Sequence, residues 1–234
     1  MAGGVLALTG FVILSLLGGA ARNPPVVGGI QGGRQLRTIA VQPRFLVAVI
    51  CAAFSYSVMV LLMTAAPLAM VDSHHGETNA ALGVQWHLVA MYAPSFFTGL
   101  LIARFGKDYV IVAGLVLLGI CAVIAIAGVD LHHFFTSLII LGIGWNFAFI
   151  GSTAMLTETY VPEEQARVQG FNDFVVFSLV AVSSLVSGQL FANIGWEAMN
   201  AYTFPLLLVC IVAVAFGRLV RRRDAPESAN QGAP

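Results

Sequence analysis

Asn146 stands near the centre of the apolar run Phe134 to Leu156, where an unsatisfied amide costs on the order of several kcal/mol, so it must face a partner helix or a wet cavity. Trp145 precedes it. Tyr56, Met91, Tyr92 and Phe149 fall at similar depth in other apolar runs, and together these six side chains would line a greasy aromatic cavity with a few polar anchors. Such lining suits an amphipathic small molecule. His87 is the nearest ionisable group to that depth, a candidate for proton coupling or for a hydrogen-bonded packing role. Hydrolytic chemistry has no place to start: there is no HExxH, no GxSxG and no carboxylate pair within an apolar run. No enzyme activity and no cofactor are expected.

The elements that must position these residues follow from composition. Of 234 residues 59% are hydrophobic and only 9% charged, too little polar surface to cover a soluble globule of this size. The chain is read as an integral membrane protein. Gly4 to Ala21 is apolar and about long enough to span a bilayer, which takes roughly 20 helical residues. Six further spans are expected at Phe45 to Val71, Ala80 to Ala103, Tyr109 to Gly128, Phe134 to Leu156, Phe171 to Ile194 and Ala201 to Leu219. Short polar turns join them, without the alternation of a barrel, so the fold is predicted to be an all-α polytopic bundle of about seven transmembrane helices packed in sequence order as hairpins. Arg22 to Arg44, with four glycines, four arginines and no acidic residue, reads as a flexible basic linker, and residues 220–234 as a disordered tail.

Charge gives an independent check on these spans. Every lysine and arginine falls on one side: Arg22, Arg34, Arg37 and Arg44 in the linker, Arg104 and Lys107 in the next hairpin, Arg167, then Arg218 and Arg221 to Arg223. The opposite loops, around Asp72 to Glu77, Asp130 to His133 and Asn193 to Glu197, have none. The basic side is therefore expected to be cytoplasmic, with the C-terminus inside and, for seven spans, the N-terminus outside. Net charge is zero, which argues against a nucleic-acid partner. Cys51, Cys121 and Cys210 lie in apolar runs without paired spacing and read as small buried hydrophobes. The pairs His74, His75 and His132, His133 share the outer face, where adjacent histidines on a turn are expected to diverge rather than hold a metal. Gly144, Ala148 and Ser152 form a small-residue ridge at four-residue spacing, as do Ser184 and Gly188, and such ridges let helices approach closely.

Two stretches carry a resemblance. In Gly99 to Ile111, GLLIARFGKDYVI, the residues Gly99, Leu101, Arg104, Gly106, Lys107 and Ile111 fall where the major facilitator superfamily places its loop motif, with Ala103 in place of the motif aspartate and Asp108 in place of its second basic residue. Gly142 to Phe174, GIGWNFAFIGSTAMLTETYVPEEQARVQGFNDF, is similar to the tenth span, inner loop and eleventh span of bacterial members. The resemblance implies that Phe45 to Leu219 is the C-terminal six-helix half of such a transporter, with Gly4 to Ala21 a remnant of the sixth span. It also implies that Arg104, Glu158 and Arg167 join a charge network that latches the outward-facing state, with Glu158 paired to Arg104 and Asp173 near a helix N-terminus.

The expected function is secondary transport of a small molecule in the cell membrane, by alternating access and of the efflux kind, with proton coupling. A half-transporter would leave its polar and aromatic face against lipid, so a parallel homodimer or a separately encoded N-terminal half is expected as partner. Seven spans with the N-terminus outside is also the topology of a heptahelical sensor, the alternative reading, although the only lysine, Lys107, lies in a loop and excludes a retinal protein. An inactive fragment is the third.

Overall fold

The computed structural model describes residues 33–230, with side chains as far as Arg221, so the run Gly4 to Ala21 and most of the basic linker lie outside the described residues. All regular structure among the described residues is helical. A short α1 (Leu36–Ala40) leads into α2 (Pro43–Asp72), whose Pro43 sits in the first turn, where the missing N–H has no partner to lose. Next come α3 (Gly76–Tyr92), α4 (Ser95–Phe105), α5 (Lys107–Ala127) and α6 (Leu131–Leu156). A 3-10 turn at Pro162–Glu164 precedes α7 (Gln165–Ala201), and α8 (Thr203–Asn230) ends the described chain.

Five of these helices are long and apolar enough to cross a membrane by themselves, and α3 with α4, bent by 41° to one another, is long and apolar enough to make a sixth span if the pair is taken as one. Five of the expected runs coincide with these helices to within a few residues. The run Ala80 to Ala103 is not one straight helix. Pro94 has no N–H to give the preceding turn and its ring opposes the helical carbonyl, which breaks the span after Tyr92. A second break lies at Gly195, whose φ of 76° and ψ of 174° turn the chain inside α7. Beyond Leu219 the helix continues through the stretch expected to be disordered, as far as Asn230.

Hairpin packing in sequence order holds for α5 and α6 and is corrected elsewhere. α2 is the centre of the bundle, with 78% of its most apolar window buried, and it packs chiefly against α7, α6 and α8. α7 and α8, although consecutive, touch little. The reason lies in side-chain size: the buried positions of α2 include Ala48, Ala52, Ala53, Ser55, Ser57, Ala65, Ala66 and Ala69, which present small surfaces to several neighbours at once. The predicted ridge on α6 meets its match on α5. A Cβ built on Gly114 would collide with the Ala148 backbone nitrogen and lie 2.7 Å from the Gly144 carbonyl, so the two backbones are in contact.

Candidate functional site

Asn146, on α6, points at the break between α3 and α4. It is 0% exposed. Its Nδ2 donates to the Met91 carbonyl at 2.8 Å and to Ser95 Oγ at 2.7 Å, while Thr98 Oγ1 lies 2.7 Å from its Oδ1 and 2.8 Å from the Pro94 carbonyl. The amide thus serves as the brace that Pro94 makes necessary, tying the last turn of α3 to the first turn of α4. Of the two surroundings expected for it, a partner helix or a wet cavity, the structure shows the helix contact. Sequence reasoning missed Ser95 and Thr98, although the Ala93–Pro94 step was a visible signal for polar groups beside it.

The other candidates divide in two. Met91 is buried, and His87 is 0% exposed with Nδ1 2.8 Å from the Leu138 carbonyl, so both belong to the contact between α3 and α6 rather than to a cavity wall. A nitrogen at that distance from a carbonyl must carry a proton, so Nδ1–H donates to Leu138. Tyr56, Trp145 and Phe149 do come together. Trp145 stacks on Phe149 at 5.2 Å and 10°, and Tyr56 meets both edge-on at 5.1 and 5.0 Å, with Phe177 of α7 next at 6.2 Å. The indole N–H of Trp145 is buried and has no acceptor among the described residues. Tyr92 stands on α3 with 62% of its surface exposed. The result is an aromatic wall, with Trp145 buried and Tyr56 and Phe149 half-buried, that borders an open face of the bundle.

At the basic end the charges pair differently from the expected network. Glu158 binds Lys107 at 2.7 Å and Arg44 at 2.8 Å, and Asp108 lies 3.6 Å from Arg218 and 3.4 Å from Arg221. Arg104, expected to hold Glu158, is exposed and makes no ion pair among the described residues; its guanidinium lies over the adjacent Phe105 ring. Gly106 decides between the two cations. Its φ of 88° ends α4 and starts α5 in a new direction, carrying Lys107 toward Glu158 and leaving Arg104 on the far side. Gly99 is exposed and nothing lies within 4 Å of where a Cβ would stand, so it makes no close packing contact. Asp173 lies more than two turns into α7, not at its N-terminus, and accepts from Asn172 Nδ2 at 3.2 Å. In a double-mutant cycle Lys107→Ala and Glu158→Ala should couple by about 1 kcal/mol or less, because both groups are partly solvated. Arg104→Ala and Glu158→Ala should be additive, and coupling in that second pair alone would reverse the assignment.

The strongest ion pair involves a residue expected to be part of a flexible linker. Glu164 is 1% exposed and receives Arg34 three times, from the backbone N–H, from Nε at 3.0 Å and from Nη2 at 2.8 Å, with the Val161 N–H adding a fourth bond at 3.1 Å. Arg34 also donates to the Thr159 carbonyl, and Arg167 donates to the Arg34 carbonyl at 3.1 Å. With Ile39 of α1 fully buried, the described end of the linker is docked. The Arg34 side-chain bonds, against the opposing effect of burial, hold the Glu164 carboxyl at about 2. Its ionised form is thus favoured by folding. The stability it contributes is complete above the ordinary carboxyl range near 4.5 and is lost as pH falls toward 2. Unfolding followed from pH 7 to 3 should show that loss in the native chain and a shallower one in Glu164→Gln.

The outer histidines depart from expectation in one respect. Asp130, His132 and His133 place ligand atoms within 4.8 Å of one another, because the His133 ring folds back over Gly128, where a Cβ would lie 2.6 Å from its Cε1. Asp130 and His132 are exposed, and His75 instead contacts the Val129 carbonyl at 2.6 Å.

The described residues thus form a bundle of five or six candidate spans, with a braced break between α3 and α4 and ion pairs gathered at one end. The model of the Major Facilitator Superfamily matches residues 45–234, and the chain belongs to that family of transporters. It is 49% identical over 180 residues to the riboflavin transporter RfnT of Brucella anthropi, covering 77% of this chain and 45% of that protein. It is 30% identical over 195 residues to the uncharacterized MFS-type transporter YddS of Bacillus subtilis, 81% of this chain and 45% of that one. Over 135 residues it is 23% identical to the drug efflux pump JefA of Mycobacterium tuberculosis, 57% of this chain and 26% of the pump. The chain spans less than half the length of these curated relatives. Family membership displaces the heptahelical sensor reading.

Proposed function

We propose that this chain is the six-helix unit of a carrier for riboflavin or a similarly flat, hydrogen-bonding heteroaromatic compound. The observation that carries the reading is the wall of Tyr56, Trp145 and Phe149 with a buried indole N–H that has no acceptor among the described residues. A buried donor without a partner costs about 1–3 kcal/mol, and a ligand ring bearing carbonyl or ring-nitrogen acceptors would both stack on this wall and relieve that cost. The likeness to a riboflavin transporter supports the same choice of ligand. Drug efflux, expected from the sequence, has only the more distant relative in its favour.

The aromatic face continues through Tyr92, Phe96, Phe174 and Phe177, all more than half exposed, and only 11% of the apolar window of α7 is buried within the unit. We propose that a second six-helix unit covers this face, most simply a parallel copy of this chain with its basic end at the cytoplasmic side. In lipid nanodiscs the purified chain should quench riboflavin fluorescence saturably. Trp145→Leu should weaken that binding at least about tenfold, the equivalent of one lost aromatic stack. Undiminished quenching by Trp145→Leu removes the wall from the binding site, and absence of quenching by the native chain removes the flavin reading.

A further inference from the structure

We infer that the break between α3 and α4 is a binding site for a small alkali-metal cation, sodium or lithium. Only the use of that cation as the coupling ion rests on the transporter reading; the site itself rests on a count of hydrogens. Thr98 Oγ1 lies 2.8 Å from the Pro94 carbonyl and 2.7 Å from Asn146 Oδ1, two acceptors, and a hydroxyl has one hydrogen to give. Turning the amide of Asn146 about its axis would set Nδ2 against Thr98 and repair that pair. It would also set Oδ1 against the Met91 carbonyl, the contact that Nδ2 now makes at 2.8 Å. With the amide as it stands, a single hydroxyl hydrogen has to serve two oxygen contacts, and with the amide turned the Asn146–Met91 oxygen pair has none.

Asn146 and Thr98 are 0% exposed and Pro94 is buried, so the two lone pairs face each other in a medium of low dielectric, where the repulsion is least screened. A cation removes the repulsion where another proton cannot. The oxygens gathered there, the Pro94 carbonyl, the Thr98 hydroxyl and Asn146 Oδ1, are of the hard, neutral kind that suits an alkali ion, and the Ser95 hydroxyl and Met91 carbonyl stand on the other side of the same amide, held by Nδ2. Without a carboxylate among them, the set does not offset the dehydration of a divalent ion. Ser95 is exposed on the open face, which gives the ion an entrance. Among the described residues Glu164 is the one fully buried carboxylate, and it sits at the basic end, away from this break.

The test uses the purified full-length chain in lipid nanodiscs with radioactive sodium as probe. Saturable binding is expected, displaced by lithium more effectively than by potassium, together with a higher unfolding temperature in sodium or lithium chloride than in choline chloride of equal ionic strength. Thr98→Val, which keeps the shape and removes the hydroxyl, should abolish binding. Should that variant fail to fold, Ser95→Ala on the exposed rim should fold and bind sodium more weakly. No saturable sodium binding by the native chain, or native-like binding by Ser95→Ala and by folded Thr98→Val, overturns the inference. Riboflavin quenching in the same preparation separates the two readings: flavin binding without sodium binding overturns the cation site alone, and sodium binding without flavin binding overturns the flavin reading alone.

Discussion

Gly114→Ala is expected to be the most damaging single-methyl change in the bundle, lowering stability by about 3 kcal/mol, the upper end of what overpacking costs. The new carbon would meet the Ala148 backbone nitrogen, the Gly144 carbonyl at 2.7 Å and the Ala148 Cα at 2.9 Å. All three are parts of a helix, so no side chain can rotate away and α5 and α6 must separate along their contact. Gly119, on the same helix, is the control. Its added carbon would find only Leu207 Cδ1 at 4.0 Å, and Gly119→Ala should be neutral or stabilising by up to about 1 kcal/mol through helix propensity. Thermal unfolding of the two variants in one detergent decides the matter, and equal midpoints would show that the backbones are not in contact as described.

Asn146→Leu should rank second, with a loss of about 2 kcal/mol and of transport. Leucine fills the space but leaves the buried Met91 carbonyl without the Nδ2 that serves it, while the Thr98 hydroxyl keeps only the Pro94 carbonyl of its own helix turn. The ends of α3 and α4 would then be joined only by the Ala93–Pro94 step, and the 41° bend would no longer be fixed. Thr153→Ala on the same helix removes a hydroxyl that serves only its own Phe149 carbonyl, and should change stability by less than about 0.5 kcal/mol. Should the two substitutions melt alike, Asn146 is not a brace. Transport that survives Asn146→Leu would separate the bend from the function.

Much of this was legible in the chain. Five of the six described spans follow from uninterrupted apolar runs, and the ridge of Gly144, Ala148 and Ser152 announced a close helix contact because only small residues recur there. The need of Asn146 for a buried partner was equally plain from the cost of an unsatisfied amide. Which partner it found was not, because hydropathy runs unbroken across Ala80 to Ala103 and hides the effect of Pro94 on the backbone. The ion pairs failed for a related reason. A motif gives the order of Arg104, Gly106 and Lys107, but the side from which each cation leaves depends on one dihedral angle at Gly106. Arg34 was read from glycine-rich surroundings as mobile, and only the fold shows the buried carboxylate that receives it. The aromatic wall was half foreseen: Tyr56, Trp145 and Phe149 meet, while His87 and Met91, chosen by depth alone, face another helix.

The three native cysteines are between 0 and 2% exposed, two of them within reach of each other's neighbouring carbonyls, Cys51 Sγ at 3.8 Å from that of Cys210 and Cys210 Sγ at 4.0 Å from that of Ile50. Water-borne maleimides therefore have no native thiol to find in the folded protein. A reporter cysteine set at Phe96 or Phe174 can be labelled without first deleting the others, its reactivity reads whether a second unit covers that face, and deletion of Cys51 would cut into α2, the most buried of the described spans. Any native thiol that does react becomes a direct measure of how often the bundle opens.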